Sequence, residues 1–260
     1  MEQHLGLFFF GLAVGAFGTL IGAGGGFILM PVLLLLYPNE SPDTITSISL
    51  AVTFANAFSG SLAYARMKRI NYRYGLVFAA AAIPGSILGA VTTYYIQRRT
   101  FDIIFGVVLL AVSAVIFMNT PAKGERAESG DIHLSRAKLL LGVLFSVVVG
   151  FVSSFLGIGG GIIHVPALAG MLAFPVHIAT ATSHFILAIV TFGGVLVHVV
   201  TGTFHHGVVR TAFLALGVLL GAQIGALLST KIRGPLIIRV LSAALAFVAL
   251  RLLFAALSAH

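Results

Sequence analysis

The chain has no cysteine. Disulfides, thiolate catalysis and cysteine-ligated metal or iron–sulfur sites are therefore excluded. Charge is nearly as scarce: 7 acidic and 15 basic residues make up 8% of 260 positions, where soluble chains carry about 25%. So few charges cannot cover a water-facing surface of this size, which excludes a soluble fold. No acidic residue falls in mid-membrane. Glu2, Glu40, Asp43, Asp102, Glu125, Glu128 and Asp131 all lie in a terminus, a loop or the first turn of an apolar span. A cation carrier or a carboxylate proton relay usually needs one deeper. No Lys or Arg is placed to trap an anion tightly in mid-span either. No nucleotide-binding motif occurs, so ATP drive would need another chain.

What is present in abundance is apolar: residues of the AVILMFWYC set make up 59%, against roughly 45–50% in soluble chains with glycine already counted. Lipid is the solvent for most of this chain, and its length suits about eight crossings or half-crossings. The net charge of +8 comes from short Lys and Arg clusters between apolar runs. Such clusters set orientation by the positive-inside rule and do not form a nucleic-acid surface. The first residues carry no basic n-region and no small-residue cleavage site, so the first apolar stretch is expected to be retained. Localisation in a cell membrane, as a multi-pass protein, follows.

Stretches free of charge set the spans: His4–Asn39, Thr44–Ala65, Tyr74–Gln97, Ile103–Ala122, a long run between Lys138 and Arg210, Thr211–Thr230 and Gly234–Leu257. One polar linker, Asn119–Arg136, interrupts them. The parts on either side resemble each other. Gly22–Pro31 reads GAGGGFILMP and Gly157–Pro166 reads GIGGGIIHVP, six of ten positions identical at an offset of 135. Gly15 pairs with Gly150, Ile48-Ser49 with Thr182-Ser183, and Gly60 with Gly194. Gly85, Gly89 and Ala90 pair with Gly221, Gly225 and Ala226, all in the same order. The expected fold is an all-α polytopic membrane protein of two homologous halves, 1–118 and 137–260, with a cytoplasmic linker at 119–136. Each half holds one glycine-interrupted stretch, a broken helix or a re-entrant hairpin, followed by three transmembrane helices. Parallel or inverted halves stay open, because the basic residues divide almost equally well under both. Inverted repeats are common among transporters, which favours the hairpin by analogy.

Three successive glycines cost a helix interior about 1 kcal/mol each relative to alanine. Gly24-Gly25-Gly26 and Gly159-Gly160-Gly161 therefore favour unwinding, and Pro31 and Pro166 suit a helix that restarts just after them. Each half then aims free N–H groups of a new helix into a glycine loop, where an anion can approach the main chain. Close helix packing is the competing role for these glycines. The candidate substrate-binding set is Gly22, Gly24, Gly25, Gly26, Ser49 and Asn56, with Gly157, Gly159, Gly160, Gly161, His164, Thr182, Ser183 and His184. His164 and His184 are also candidates for a proton-linked step. His198 with His205-His206 hints at a metal cluster, without a nearby carboxylate or thiolate to complete it. Ser153-Ser154 has no evident base, so an intramembrane hydrolase is not expected.

These residues together resemble the TauE/SafE sulfite exporter family, the toluene sulfonate uptake permease group. The matching features are the two Gly-to-Pro motifs, the runs SISLAVTFANAFSGSLAY and ATSHFILAIVTFGG, the basic turn RMKRINYRY and the segment IPGSILGA. The resemblance implies a bacterial or archaeal inner-membrane carrier, often an exporter, for sulfite, sulfoacetate or other organosulfonates. It places Gly22, Gly24, Gly25, Gly26 and Pro31, with Gly157, Gly159, Gly160, Gly161 and Pro166, at the family's motif. The second half departs at Thr203–Val208, which bears histidines where the first half is basic. No enzyme activity, cofactor, resident metal or nucleic-acid partner is expected. Proton or sodium coupling and a homodimer stay open as partners. A histidine-dependent metal or other cation transporter is the alternative.

Overall fold

A computed structural model describes residues 2–118, 132–203, 207–229, 246–247 and 249–257. All regular structure among them is helical. In chain order the helices are α1 (Glu2–Ile21), α2 (Gly26–Leu36), α3 (Pro42–Arg66), α4 (Tyr72–Thr92), α5 (Arg98–Met118), α6 (Arg136–Leu156), α7 (Gly161–Pro166), α8 (Val176–Val200) and α9 (Val208–Leu228). A 3₁₀ turn, Thr93–Tyr95, extends α4, and a π turn, Ala167–Met171, extends α7. Among the described residues, α3, α4 with its extension, α6, α8 and α9 are long and apolar enough to cross a membrane. The linker at 119–131 and most of the last expected span lie outside the described residues.

Starts and stops follow local chemistry. Pro42 opens α3 behind Ser41, whose hydroxyl meets that of Thr44 at 2.9 Å. The Asn71 side chain caps α4 by accepting from the Tyr74 N–H at 3.2 Å. Gly157, at φ 66°, ends α6 in the left-handed conformation that glycine adopts without a Cβ penalty.

Side-chain and glycine contacts fix the direction of each helix. A Cβ at Gly11 or Gly15 of α1 would strike the main chain of Leu214 or Val218. Gly217, Gly221 and Gly225 of α9 lie against Phe8, Leu12 and Ala16 in turn. Partner numbers rise together, so α1 and α9 are parallel. Ile48 sits against Gly207, and Ser59 donates to the Leu219 carbonyl at 2.8 Å, which makes α3 parallel to α9 as well. Gly85 and Gly89 of α4 lie on Val147 and Phe151 of α6. Ser86 donates to the Val190 carbonyl and the Tyr94 ring lies tilted against His198, so α4, α6 and α8 also run together. Between the sets the order reverses: Leu50 meets Gly194, Phe54 meets Phe192 and Gly60 meets His184.

Two consequences follow. Because α1 and α3 point the same way, α2 must bring the chain back, and the first apolar stretch is a hairpin. The same holds for α6, α7 and α8. The bundle is also closely packed on small residues, which lets main chains touch where bulkier side chains would hold helices apart.

Charge is distributed unequally between the two ends. Where α1, α3 and α9 begin, Arg210 pairs with Glu40 at 2.9 Å and Arg98 with Asp102 at 2.8 Å. Arg98 also donates to the carbonyls of Leu34, Tyr37 and Glu40, capping the end of α2. The opposite end carries Arg66, Lys68, Arg69, Arg73, Arg136 and Lys138, and none of them is in an ion pair among the described residues. By the positive-inside rule this second end is the one expected to face the cytoplasm.

This arrangement predicts the labelling of single cysteines, which is clean in a chain that has none. Glu2→Cys and Asn39→Cys should react with an impermeant maleimide from the same side, and Lys68→Cys and Lys138→Cys from the cytoplasm. Labelling of Glu2→Cys and Asn39→Cys from opposite sides would mean a full crossing and overturn the hairpin.

Candidate functional site

The two glycine loops meet at the middle of the bundle. Gly24 and Gly159 both lie against Thr53 and Leu187, the midpoints of α3 and α8. Each loop is unwound in the expected place, with φ of 82°, 79° and 75° at Gly22, Gly24 and Gly25, and 66°, 80° and 70° at Gly157, Gly159 and Gly160. These are left-handed values that L side chains rarely adopt, so glycine is required there for conformation alone. Gly26 and Gly161 are required for space. A Cβ on Gly26 would sit 2.6 Å from the Ile158 carbonyl oxygen and one on Gly161 2.7 Å from the Gly22 carbonyl oxygen. Unwinding and close packing, competing roles in the sequence, are divided between neighbouring glycines.

Corresponding contacts hold both loops. The Ala23 and Gly24 N–H groups donate to the Gly18 carbonyl, and those of Ile158 and Gly159 to the Ser153 carbonyl. Ser49 donates to the Gly157 carbonyl at 2.6 Å, and Ser183 to the Gly22 carbonyl at 3.4 Å. Thr46 packs on Gly157 and Thr180 on Gly22. Each loop is thus held by the long helix that follows the other one.

Beside the first loop lies a buried polar hub. Asn56 Nδ2 donates to the Gly24 carbonyl at 2.9 Å, and Asn56 Oδ1 accepts from the Thr19 hydroxyl at 2.6 Å. Tyr64 donates to the Thr19 carbonyl at 2.7 Å. His184 Nε2 stands 3.3 Å from Thr19 Oγ1, whose single proton already goes to Asn56. That oxygen must therefore accept, which places the His184 proton on Nε2 and leaves Nδ1 an acceptor. Nδ1 is buried and unpartnered.

Other polar atoms around the loops are buried and unpartnered too: Thr46 Oγ1, Thr53 Oγ1, Ser153 Oγ and His164 Nε2. The most telling is Thr53, fully buried, whose hydroxyl lies 2.6 Å from where a Gly26 Cβ would be. That is the start of α2, where the N–H groups of Gly26 and Phe27 take no bond among the described residues. Those of Gly161 and Ile162 at the start of α7 are equally free. Free N–H groups carrying the positive end of a helix, next to a hydroxyl that can donate, suit an oxyanion. The loops are buried and in main-chain contact, so any ligand could reach these groups only if the loops parted.

Of the residues expected from sequence, the glycines, Ser49, Asn56, Ser183 and His184 are brought together, and His164 is buried on α7 behind them. Thr182 is not. Its hydroxyl accepts from the Asn71 N–H at 3.0 Å, at the α3–α4 connection. Neighbours on a helix point about 100° apart, so the Thr182-Ser183 pair cannot both face the loop. Thr19, Thr53 and Tyr64 were not singled out, because a lone hydroxyl in an apolar run carries no pattern. His198 lies apart, against Tyr94 near Thr203. No group of three His, Asp or Glu able to hold a metal occurs among the described residues, and His205 and His206 lie outside them.

The sulfite exporter TauE/SafE family model matches residues 7–252. A probable membrane transporter protein of Bacillus subtilis, YunE, is 28% identical over 94% of this chain and 95% of its own. A probable membrane transporter protein of Methanocaldococcus jannaschii, MJ0441, is 30% identical over 74% of this chain and 71% of its own. One from Haemophilus influenzae is 23% identical over 91% and 90%. No solved structure matches the chain.

The hub predicts coupled losses. Asn56→Ala leaves the Gly24 carbonyl and Thr19 hydroxyl without partners and should lower stability by about 1–2 kcal/mol. Thr19→Val should cost less, and the double variant less than the sum of the two. Thermal unfolding in detergent measures this, and strict additivity would show that these residues do not act as one network.

Proposed function

The chain belongs to the sulfite exporter TauE/SafE family of membrane transporters, and from that premise we propose that it exports small sulfur-containing anions. Sulfite, sulfoacetate and other organosulfonates are the class. Each presents a compact, delocalised oxyanion that main-chain N–H groups can hold without a full cationic partner. The observation that carries this reading is the start of α2: the free Gly26 and Phe27 N–H groups beside the unpartnered Thr53 hydroxyl, at mid-depth. The start of α7, with Gly161 and Ile162, supplies the matching half. Helix ends, hydroxyls and amides without a fixed cation bind moderately and release, as a carrier must.

We read the chain as two inverted repeats, 1–118 and 137–260, joined by a cytoplasmic linker at 119–136. Support comes from the opposed directions of α3 and α8 and from the paired contacts at offsets of 134 and 135. Gly22 pairs with Thr180 as Gly157 pairs with Thr46, and Gly25 with Val14 as Gly160 with Val149. In the described conformation the loops close on each other. Rocking of the α1–α9 pair, which carries the first loop, against the α4–α6 pair, which carries the second, would part them toward one face and then the other, exposing the same N–H groups alternately. His184 is our candidate for proton coupling, because its Nε2 faces the Thr19 hydroxyl of the hub that holds Gly24 while its Nδ1 is unpartnered.

Counterflow of labelled anions in proteoliposomes tests the substrate class. Sulfite or a sulfonate should exchange and zinc should not; zinc flux without sulfonate flux would overturn the reading. Thr53→Val tests the site. It removes only a hydroxyl with no partner, so thermal stability without ligand should hold or rise. Anion affinity should fall about tenfold or more, the value of a hydrogen bond to a charged group. Equal affinity in this variant would remove Thr53 from the site.

A second experiment addresses coupling. His184→Gln should flatten the dependence of flux on pH more than it lowers exchange at fixed pH. An unchanged pH profile would return His184 to a purely structural role.

A further inference from the structure

Between the outward faces of α3 and α8 lies a groove of about 470 Å³. Its walls are aromatic: Phe54 and Phe58 from α3, Phe185 and Phe192 from α8, and Tyr72 at the head of α4. Phe58, Tyr72 and Phe192 are exposed in the isolated chain at 58%, 48% and 47%. The groove runs along α3 from Phe54 to Ala65, about 16 Å at the helical rise. That is about one leaflet, half of the roughly 30 Å hydrocarbon core.

The two ends of the groove differ chemically. The deep end, at Phe54 and Phe192, is wholly apolar. The shallow end, at Ala65, Ile70 and Tyr72, opens onto the basic turn with Arg66, Lys68, Arg69 and Arg73. None of these four is in an ion pair among the described residues. One turn deeper than Ala65, Ser61 lines the groove with its hydroxyl buried and unpartnered. Ser61 is 8% exposed and its hydroxyl oxygen is itself buried, so a turn about its Cα–Cβ bond would be needed to present this donor to the groove.

We propose that this groove is a binding site for an anionic phospholipid of the cytoplasmic leaflet. One acyl chain lies between α3 and α8, against the phenylalanines. An ester carbonyl accepts from Ser61, and the phosphate meets Arg66, Arg69 and Arg73. The order of these partners along the groove, cation then hydroxyl donor then apolar wall, is the order of groups in a glycerophospholipid. A second copy of this chain fits less well, since a symmetric contact here would bring a second unpaired basic turn against the first. The site is separate from the glycine loops and does not depend on which anion is carried.

Native mass spectrometry of the full chain in detergent tests this with two lipids of equal chain length, phosphatidylglycerol and phosphatidylcholine. Phosphatidylglycerol should be retained preferentially, with each arginine worth about fivefold. Arg66→Gln, Arg69→Gln and Arg73→Gln combined should abolish the preference. Arg136→Gln with Lys138→Gln, at the same face but off the groove, should keep it. Ala65→Trp should expel both lipids by filling the groove, and Ser61→Ala should weaken both without altering the headgroup preference. Equal retention of the two lipids in the parent chain would overturn the site. So would an unchanged preference in the triple arginine variant, or a dimer that Ala65→Trp dissociates.

Discussion

Main chain that leaves the helical path at the middle of a bilayer must find every hydrogen bond inside the protein, since no water is there to supply one. Both glycine loops face this demand, and the rest of the bundle is arranged around meeting it. Gly18 and Ser153 each present a carbonyl to two loop N–H groups. Ser49 and Asn56 donate to loop carbonyls from α3, and Ser183 does so from α8. These donors must come close enough to bond, which forces the long helices against the loops. Glycine at the loops and at the helix contacts permits that approach. The groups left over are the N–H groups at the starts of α2 and α7, the ones assigned to the anion in the proposed function.

The same constraint explains why the two parts of the chain interlock and do not stand side by side. α1 packs on α9 and α6 on α4, so each hairpin leans on a helix from the other part. The contacts are glycine to main chain at nearly every turn: Gly11, Gly15, Gly217, Gly221 and Gly225 on one side, Gly85, Gly89 and Gly150 on the other. In lipid, where apolar side chains gain little by leaving one apolar solvent for another, such close approach supplies the dispersion energy of association. A motion that separates the loops can therefore keep these pairs intact and move each as a unit.

Much of this was legible in the sequence, for physical reasons. Triple glycines before a proline signal an interrupted helix wherever they occur, and their recurrence at one offset marked both loops. Ser49 and Ser183 were legible through the neighbouring offset of 134, and Asn56 because a buried amide needs partners. The direction of α2 was not. Basic residues sort almost equally under a hairpin and a full crossing, and only contacts such as Leu50 with Gly194 separate the two. Thr182, in the candidate set beside Ser183, faces Asn71 and not the loop, since adjacency in sequence is not adjacency on a helix face. Thr19 and Thr53 could not be picked out, because in a membrane helix most hydroxyls simply bond a carbonyl one turn back. Thr191 does so, to Leu187, while Thr53 does not.

On the inverted-repeat reading, the positions that break the pattern carry as much information as those that keep it. Asn56 corresponds to Val190, His184 to Leu50 and Thr19 to Ser154. The hub therefore exists on one side only. The first loop is tied through Asn56 and Thr19 to a histidine, and α2 is capped at its far end by Arg98. The second loop lacks the hub and keeps the Ser49 contact, the counterpart of Ser183 on the first, and α7 gives way after Pro166 to a π turn. Ser154, at the place of Thr19, turns instead to Ser86 at 2.7 Å, between α6 and α4. Two loops of nearly the same backbone are thus held by side chains of different chemistry. A histidine stands near each loop, but His184 meets the first through the Thr19 hydroxyl whereas His164 sits on α7 itself with its Nε2 unpartnered, so the two loops are not held in equivalent ways.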